Sequence, residues 1–273
     1  MKITGLFVYP VKSLRGTQVS SFELSARGPR YDRHWMLVDE AGEFMTQRKT
    51  PRLAQLVPTL TEESLLIQDP AGRRLELALD ADAGRRPITV WRDHFEAIDC
   101  GDAAAAFLRS ALSLPCRLVR MADDAHRRLD PKYVSDANAQ TGFADGYPLL
   151  LANEASLAEL NSRLRTLVPM NRFRPNVVVQ GPPPWAEDGW LRLTLGSVTL
   201  DAVKPCSRCV VITTDQLTGE HPDGPEPLKT LAAYRTLPEL GAIFGMNLVP
   251  TVAAGMLRVG DPLTVLNYTK PHV

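Results

Sequence analysis

The run SLLIQDPAGRRLELAL, residues 64–79, limits most tightly what this chain can fold into. In its second arm Leu75, Leu77 and Leu79 alternate with Arg74, Glu76 and Ala78, and Pro70-Ala71-Gly72 separates the two arms. Period-two alternation around turn residues describes a hairpin that buries one face of a sheet. The same pattern recurs in KITGLFVY, QVSSFEL, HWMLVDEAGEFMTQ with its turn at Ala41-Gly42, and ITVW, so the first hundred residues read as mostly β. Further strands are predicted in NVVVQ at 176–180, in 191–203 with a turn at Gly196, and in GMLRVGDPLTVL near the end. Helices interrupt them. Asp102 caps DAAAAFLRSAL ahead of Pro115, and a second helix begins near Asn153, with Leu157, Leu160 and Leu164 on one face and Ser156 and Glu159 at capping-box spacing. A third follows Pro227. No block recurs at a fixed period, which excludes a solenoid, and QGPPPWAEDGW is short enough to be an ordered loop. The fold class is mainly β with α insertions (α+β), around a β-barrel core.

At 273 residues the chain suits two closely packed domains. Its 31 basic and 31 acidic side chains cancel, so no general attraction to nucleic acid or to an anionic membrane is expected, and anion binding has to be local. The N-terminal MKITGLFVYPVKS alternates and is broken by Pro10, which reads as a strand and not a leader. No segment approaches the ~18 apolar residues of a membrane span. Four cysteines, Cys100, Cys116, Cys206 and Cys209, are too few for a secreted disulfide framework; free thiols in a reducing, cytoplasmic setting are expected.

Two of those cysteines form VKPCSRCVVITTDQLTGE. A structural zinc site needs a second ligand pair, and His34, His94, His126, His221 and His272 never fall two together at ligand spacing. A thioredoxin-like pair belongs at the start of a helix in a βαβ unit, whereas the β-branched run after Cys209 suggests strand, short loop, strand. A buried structural thiol is the plain alternative. Arg208 beside Cys209 and Lys204 nearby favour thiolate, the form that binds a soft metal. PVKS with Lys12 and Ser13, YDRHW with Arg33, and RFRPN with Arg172 and Arg174 add anion-binding pieces, which together suggest a phosphate-bearing cofactor.

The segments YPVKSLRG, RYDRHWMLVDEAGEFMTQRKTPRLA, FADGYPLLLANEASLAELNSRL, FRPNVVV, WAEDGW, KPCSRCVVITTDQLTGE, EPLKTLAAYR, FGMNLVP and VGDPLTVL run nearly end to end. In that order the chain resembles the MOSC-domain molybdenum enzymes, the group that includes the mitochondrial amidoxime-reducing component and its bacterial relatives. The resemblance implies an N-terminal MOSC-associated β-barrel domain, taken as 1–120, packed on a MOSC domain, 121–273, with the first strand contributing to a cofactor site between them. It implies molybdenum cofactor, a molybdopterin, with Cys209 as the protein thiolate on molybdenum and the catalytic centre. Lys12, Ser13, Arg33, Arg174, Ser207 and Arg208 would hold the pterin and its phosphate. Gly146 and Tyr147 fall where the family adds backbone contacts, and Tyr147 and Asn247 fall at the substrate pocket. Cys206 inherits no role. In many relatives one apolar residue separates the Thr-Thr pair from Asp, while here Thr213-Thr214 abuts Asp215 without changing the spacing from Cys209.

The implied activity is reduction of N-hydroxylated small molecules (hydroxylamines, amidoximes, N-hydroxylated bases) to amines or amidines with release of water, a chemistry of N-reductive detoxification. With no Cys-rich extension after VGDPLTVL, electrons are expected from a separate protein: a ferredoxin, a cytochrome b5-like protein or a flavoprotein reductase. The resemblance is read as a monomer. At the level of the domain alone it also brings an association with pyridoxal phosphate. The alternative it leaves open is a sulfur carrier, sulfurtransferase or cofactor carrier using Cys209, since fold does not fix function.

Overall fold

The computed structural model describes residues 1–252 and 254–270. A large sheet takes its strands from both ends of the chain. In spatial order they are Leu263–Tyr268, Trp190–Leu195, Val198–Ser207, Gly241–Pro250, Leu149–Asn153, Val177–Gln180, Lys2–Val8 and Thr17–Val19. Neighbours are antiparallel except Leu149–Asn153 beside Val177–Gln180, a parallel pair bridged by the helix Glu154–Asn161. The sheet curls onto itself: Ile3 N–H donates to the Asp261 carbonyl (2.9 Å), Leu263 N–H donates to the Met1 carbonyl (3.0 Å), and Lys2 bridges Pro262. Closure removes the edges, and the alternating inward residues Ile3, Leu6, Leu151, Val177, Leu193, Leu200 and Leu248 fill the barrel.

The remaining N-terminal residues build a second layer. Trp35–Val38, Arg117–Arg120, Asp93–Asp99 and Arg85–Val90 form one sheet, and Val57–Leu60, Ser64–Gln68 and Arg74–Ala78 another. The predicted hairpin is present, with Leu65 opposite Leu77 and Ile67 opposite Leu75. Leu65, Ile67 and Leu75 pack with Ala104, Leu108 and Leu112 of the helix Asp102–Leu112. The expected Asp102 cap is corrected: Gly101, at φ +93°, takes the cap position and Asp102 opens the first turn, where its charge still favours the helix dipole.

Asn153 does cap the second helix, accepting from the Ala155 N–H (3.1 Å). The capping box does not form, because Ser156 is buried and donates to Glu187 Oε1 (2.7 Å) in the PPPWAEDG loop. That helix ends at Asn161, so Leu164 packs from beyond it. The third helix, Leu228–Tyr234, follows Pro227 as predicted. No helix of the described residues is long and apolar enough to cross a membrane.

The joint between the layers is the segment after the first strand. Lys12 N–H donates to the Trp35 carbonyl (2.7 Å), Trp35 N–H to the Pro10 carbonyl (3.0 Å), and Arg33 N–H to the Tyr9 carbonyl (2.7 Å). PVKS and DRHW, twenty residues apart, are thereby zipped together at the barrel rim.

Candidate functional site

A cavity of about 380 Å³ opens at this joint. Lys12, Ser13, Arg33, Gly146, Tyr147, Arg174, Ser207, Arg208, Cys209 and Asn247 all line it, so every site residue singled out in the sequence comes to one place. Six cations face it (Lys12, Arg33, Arg48, Arg172, Arg174, Arg208) against one carboxylate, Asp145. A protein with no net charge therefore carries a locally cationic pocket.

A buried polar hub aims the first two arginines. Asp32 accepts from the Tyr9 N–H (2.8 Å), from Asn176 Nδ2 (3.0 Å) and, through Oδ2, from Arg33 Nη1 (2.6 Å). Both the Arg33 and Arg174 guanidiniums lie over the Tyr9 ring, at 4.2 and 4.4 Å from its centroid. Burial pushes the Tyr9 hydroxyl up to about 12, and burial pulls Arg174 down to about 10. Arg174 Nη1 donates to Gln216 Oε1 (3.0 Å); Gln216 pairs its amide with Gln47, whose Nε2 donates to the Ser13 carbonyl (2.7 Å). Arg174 makes no ion pair among the described residues. Ser13, Arg33 and Arg174 all hold positive φ (68°, 45°, 53°), a strain of about 1–3 kcal/mol apiece. Strained backbone at three lining positions indicates that the surroundings enforce this geometry.

Lys12 is almost fully buried; its Nζ donates to the Phe143 carbonyl (2.8 Å) and pairs with Asp145. Burial lowers the Lys12 pKa, with Asp145 acting against it. The cavity walls desolvate the Asp145 carboxylate although its side chain is 56% exposed, but Lys12 and then Arg48 outweigh this and hold Asp145 below the ordinary carboxylate range. Arg48 donates to Asp145 Oδ2 (3.2 Å) and lies close enough to Cys209 for the two to interact electrostatically.

The cysteine loop departs from expectation. Cys206 is the last residue but one of the strand Val198–Ser207, whereas Val210–Thr213 is a 3-10 turn and not a strand, closed by Ile212 N–H to the Cys209 carbonyl (3.1 Å). Tertiary contacts override β-propensity here: Arg172 Nη1 takes the Thr213 carbonyl (2.7 Å) and Thr213 Oγ1 takes the Val210 carbonyl (2.8 Å). Arg172 also pairs with Asp215 and Asp223 (3.4 and 3.3 Å), so it braces the loop. Arg208 donates to the Phe244 and Phe173 carbonyls, and Ser207 Oγ to the Leu240 carbonyl. Gly245 lets the strand carrying the Phe244 carbonyl pack tightly on its neighbour: at φ +75°, a Cβ would sit 2.5 Å from the Leu151 carbonyl oxygen. Asn247 Nδ2 donates to the Lys204 carbonyl (3.1 Å).

All four cysteines are free. Burial pushes Cys100 up to about 12 and Cys116 to about 11, and it raises Cys206 as well. No three His, Cys, Asp or Glu side chains among the described residues gather as a metal cage. A metal held at Cys209 would have to arrive with most of its ligands already in place.

Sequence reasoning missed Arg48, Asp145, Trp91, Gln47, Asp32 and Asn176. Arg48 and Gln47 lie within TQRKTPRLA, where a loop cation reads as a solvated charge. Asp145 precedes Gly146, yet only its closeness to Lys12 reveals its part.

A barrel built across both chain ends, with a cationic cavity and one cysteine loop at its rim, is the architecture of a two-part MOSC protein. Residues 1–115 match the MOSC N-terminal beta barrel domain and residues 138–264 match the MOSC domain. The chain belongs to the family of the mitochondrial amidoxime-reducing components. It is 35% identical over 285 residues to mitochondrial amidoxime-reducing component 1 of Mus musculus (97% of this chain, 82% of the relative). To the Homo sapiens protein of that name it is 35% identical over 282 residues, with 97% and 82% covered. It is 33% identical over 253 residues to molybdenum cofactor sulfurase of Oryza sativa, covering 85% of this chain and 31% of that one.

Proposed function

We propose that the chain is a molybdenum-cofactor-dependent reductase of N-hydroxylated small molecules, with Cys209 as the thiolate on the metal. The observation that carries this reading is the meeting of Cys209 with six cations and a single carboxylate in one cavity. Three features of that cavity fit a phosphate-bearing, metal-bearing pterin. Among the described residues Arg174 has no carboxylate within ion-pair distance and bonds a neutral amide instead, which leaves its charge available to an anion. A Cβ on Gly146 would meet no atom within 4 Å, which leaves its backbone open to a ligand. The Tyr147 hydroxyl is buried without a hydrogen-bond partner.

In this reading Arg33, Arg174 and Lys12, with the Ser13 turn, hold the phosphate and pterin, and Ser207 and Arg208 fix the loop that presents Cys209. The cofactor, when bound, would supply the two electrons that cleave the N–O bond, and with two protons the oxygen would leave as water. Lys12 and Arg48 keep Asp145 ionised beside Cys209, so it acts as an acceptor that orients Arg48 and does not deliver a proton. Asn247 and Tyr147 border the space left for substrate. Electrons come from a separate donor protein.

Similarity to a cofactor sulfurase supports the alternative, a sulfur carrier using Cys209. Metal decides between them. Protein from a molybdenum-replete host should carry about one molybdenum and one pterin per chain, and should reduce a model amidoxime with a chemical reductant. Metal-free protein bearing a persulfide on Cys209 would sink the reductase reading.

A further inference from the structure

Trp91 is a large aromatic residue in the wrong kind of position for one. It is the first of two residues, Trp91-Arg92, linking the strands Arg85–Val90 and Asp93–Asp99, whose register pairs Val90 with Asp93. Two-residue hairpin loops favour glycine, asparagine or aspartate at such a site, because φ is positive there. Trp91 holds φ +57° and remains 45% exposed. Burial of its ring does not explain it.

Its neighbours do. The indole Nε1–H donates to Asp145 Oδ1 (3.2 Å), the Arg48 guanidinium lies over the ring at 4.8 Å, and Phe44 packs at 4.9 Å between centroids. Arg48 is also an electrostatic neighbour of Cys209. A second cavity, about 980 Å³, adjoins the first and shares Thr46, Arg48, Trp91, Asp145, Gly146 and Tyr147 with it. A molecule in the larger cavity lies within reach of Trp91 and Tyr147 at the boundary with the cofactor cavity. The hairpin is itself anchored there, by Arg127 Nε donating to Asp93 Oδ2 (2.7 Å).

We propose that Trp91 is the stacking surface that makes this site prefer planar, π-conjugated N-hydroxy compounds, such as an amidoxime on an aromatic ring or an N-hydroxylated heterocyclic base, over saturated ones. This rests on the reductase reading above and adds a residue that sets specificity within it. Stacking of a flat ring on an indole needs no matching hydrogen-bond pattern, so one residue serves a whole class of planar substrates. It acts on binding, and its removal is felt in KM more than in kcat.

The test compares benzamidoxime with acetamidoxime, which share the reacting group and differ in the ring, using cofactor-loaded enzyme and a chemical reductant. Trp91→Gly, which suits the positive φ, should lower the benzamidoxime-to-acetamidoxime ratio of kcat/KM about 5- to 100-fold, the range of one ring stack, mostly through KM. Trp91→Phe keeps a ring but loses the indole donor to Asp145, and should retain most of the ratio. Affinity for benzamidine, the aromatic product, should fall in Trp91→Gly by a similar factor in a calorimetric titration. An unchanged ratio in Trp91→Gly overturns the proposal, and so does a Trp91→Phe enzyme as impaired as Trp91→Gly, which would assign the effect to Asp145. If the unsubstituted enzyme reduces neither amidoxime, the reductase reading fails, and the benzamidine titration alone decides on Trp91.

Discussion

Replacing Arg174 with glutamine should stabilise the cofactor-free protein while crippling its hold on phosphate. An ordinary guanidinium titrates above 12; burial holds Arg174 near 10, with Arg33 adding repulsion. Each tenfold change in proton affinity is worth 1.36 kcal/mol, so keeping this charge in the folded state costs about 3 kcal/mol, reduced to about 2 by its partial opening to the cavity. The sign follows from linkage: a cation with a depressed folded pKa penalises folding at every pH below that value, neutral pH included. Glutamine keeps a neutral hydrogen-bonding group beside Gln216, so what stands against this gain is mainly the lost stack on Tyr9, about 1 kcal/mol. The net expectation for Arg174→Gln is about 1 kcal/mol of added stability, read as a rise of ~2–4 °C in Tm or a higher urea midpoint at constant slope. In the same protein, affinity for pyrophosphate by calorimetry should drop at least ~10-fold, the loss of one charge-assisted contact. A variant that loses more than ~1 kcal/mol of stability would show that the charge is compensated in the free protein, and the account of Arg174 as a phosphate holder in waiting would be wrong.

Cys209→Ser should abolish amidoxime reduction and molybdenum retention while moving the urea midpoint by less than ~1 kcal/mol equivalent, because Cys209 is only part-buried; loss of the cooperative transition would refute its assignment as a ligand. Cys100 and Cys116, pushed up to about 12 and 11 by burial, should resist iodoacetamide at pH 7.5 in the native protein and react on unfolding, as mass spectrometry of digests would report. His34 is drawn down to about 4, first by burial and then by Arg27 and Arg120. The unfolded state therefore binds the extra proton first, and stability falls as pH drops from about 6.5 toward 4. His34→Gln should remove up to ~2 kcal/mol of that loss, seen by comparing urea midpoints at pH 7 and 4.5; an identical acid slope in the variant would mean that His34 is not the proton acceptor.

How much of this was legible in the sequence varied with the range of the interactions involved. The 64–79 hairpin was plain because alternation and its turn are local, and so was the helix after Pro227. The strand Gly241–Pro250 was not read, since GAIFGMNLVP contains two glycines and no alternation; its pairing with Val198–Ser207 and Leu149–Asn153 makes it a strand. Cys209 and the arginines of DRHW and FRPN were found by their segments, and the structure gathers them in one cavity. Arg48 and Asp145 stayed hidden because each is an unremarked charge until the fold puts one against the thiol and the other against Lys12. Val210–Thr213 is the opposite case: its β-branched residues favour a strand locally, and the bond from Arg172 holds them in a turn.

The strand Lys2–Val8 pairs with Val177–Gln180 and touches residues 260–263. During synthesis, then, Lys2–Val8 emerges well before Leu263–Tyr268 and must wait for it before the barrel can shut, its apolar face sheltered meanwhile. The same topology means that residues 138–264 expressed as a fragment would leave Val177–Gln180 with an open edge, ready to pair with a second molecule. Supplying a peptide of residues 1–19 in trans would be the natural remedy, and would make closure of this barrel a bimolecular event that can be timed.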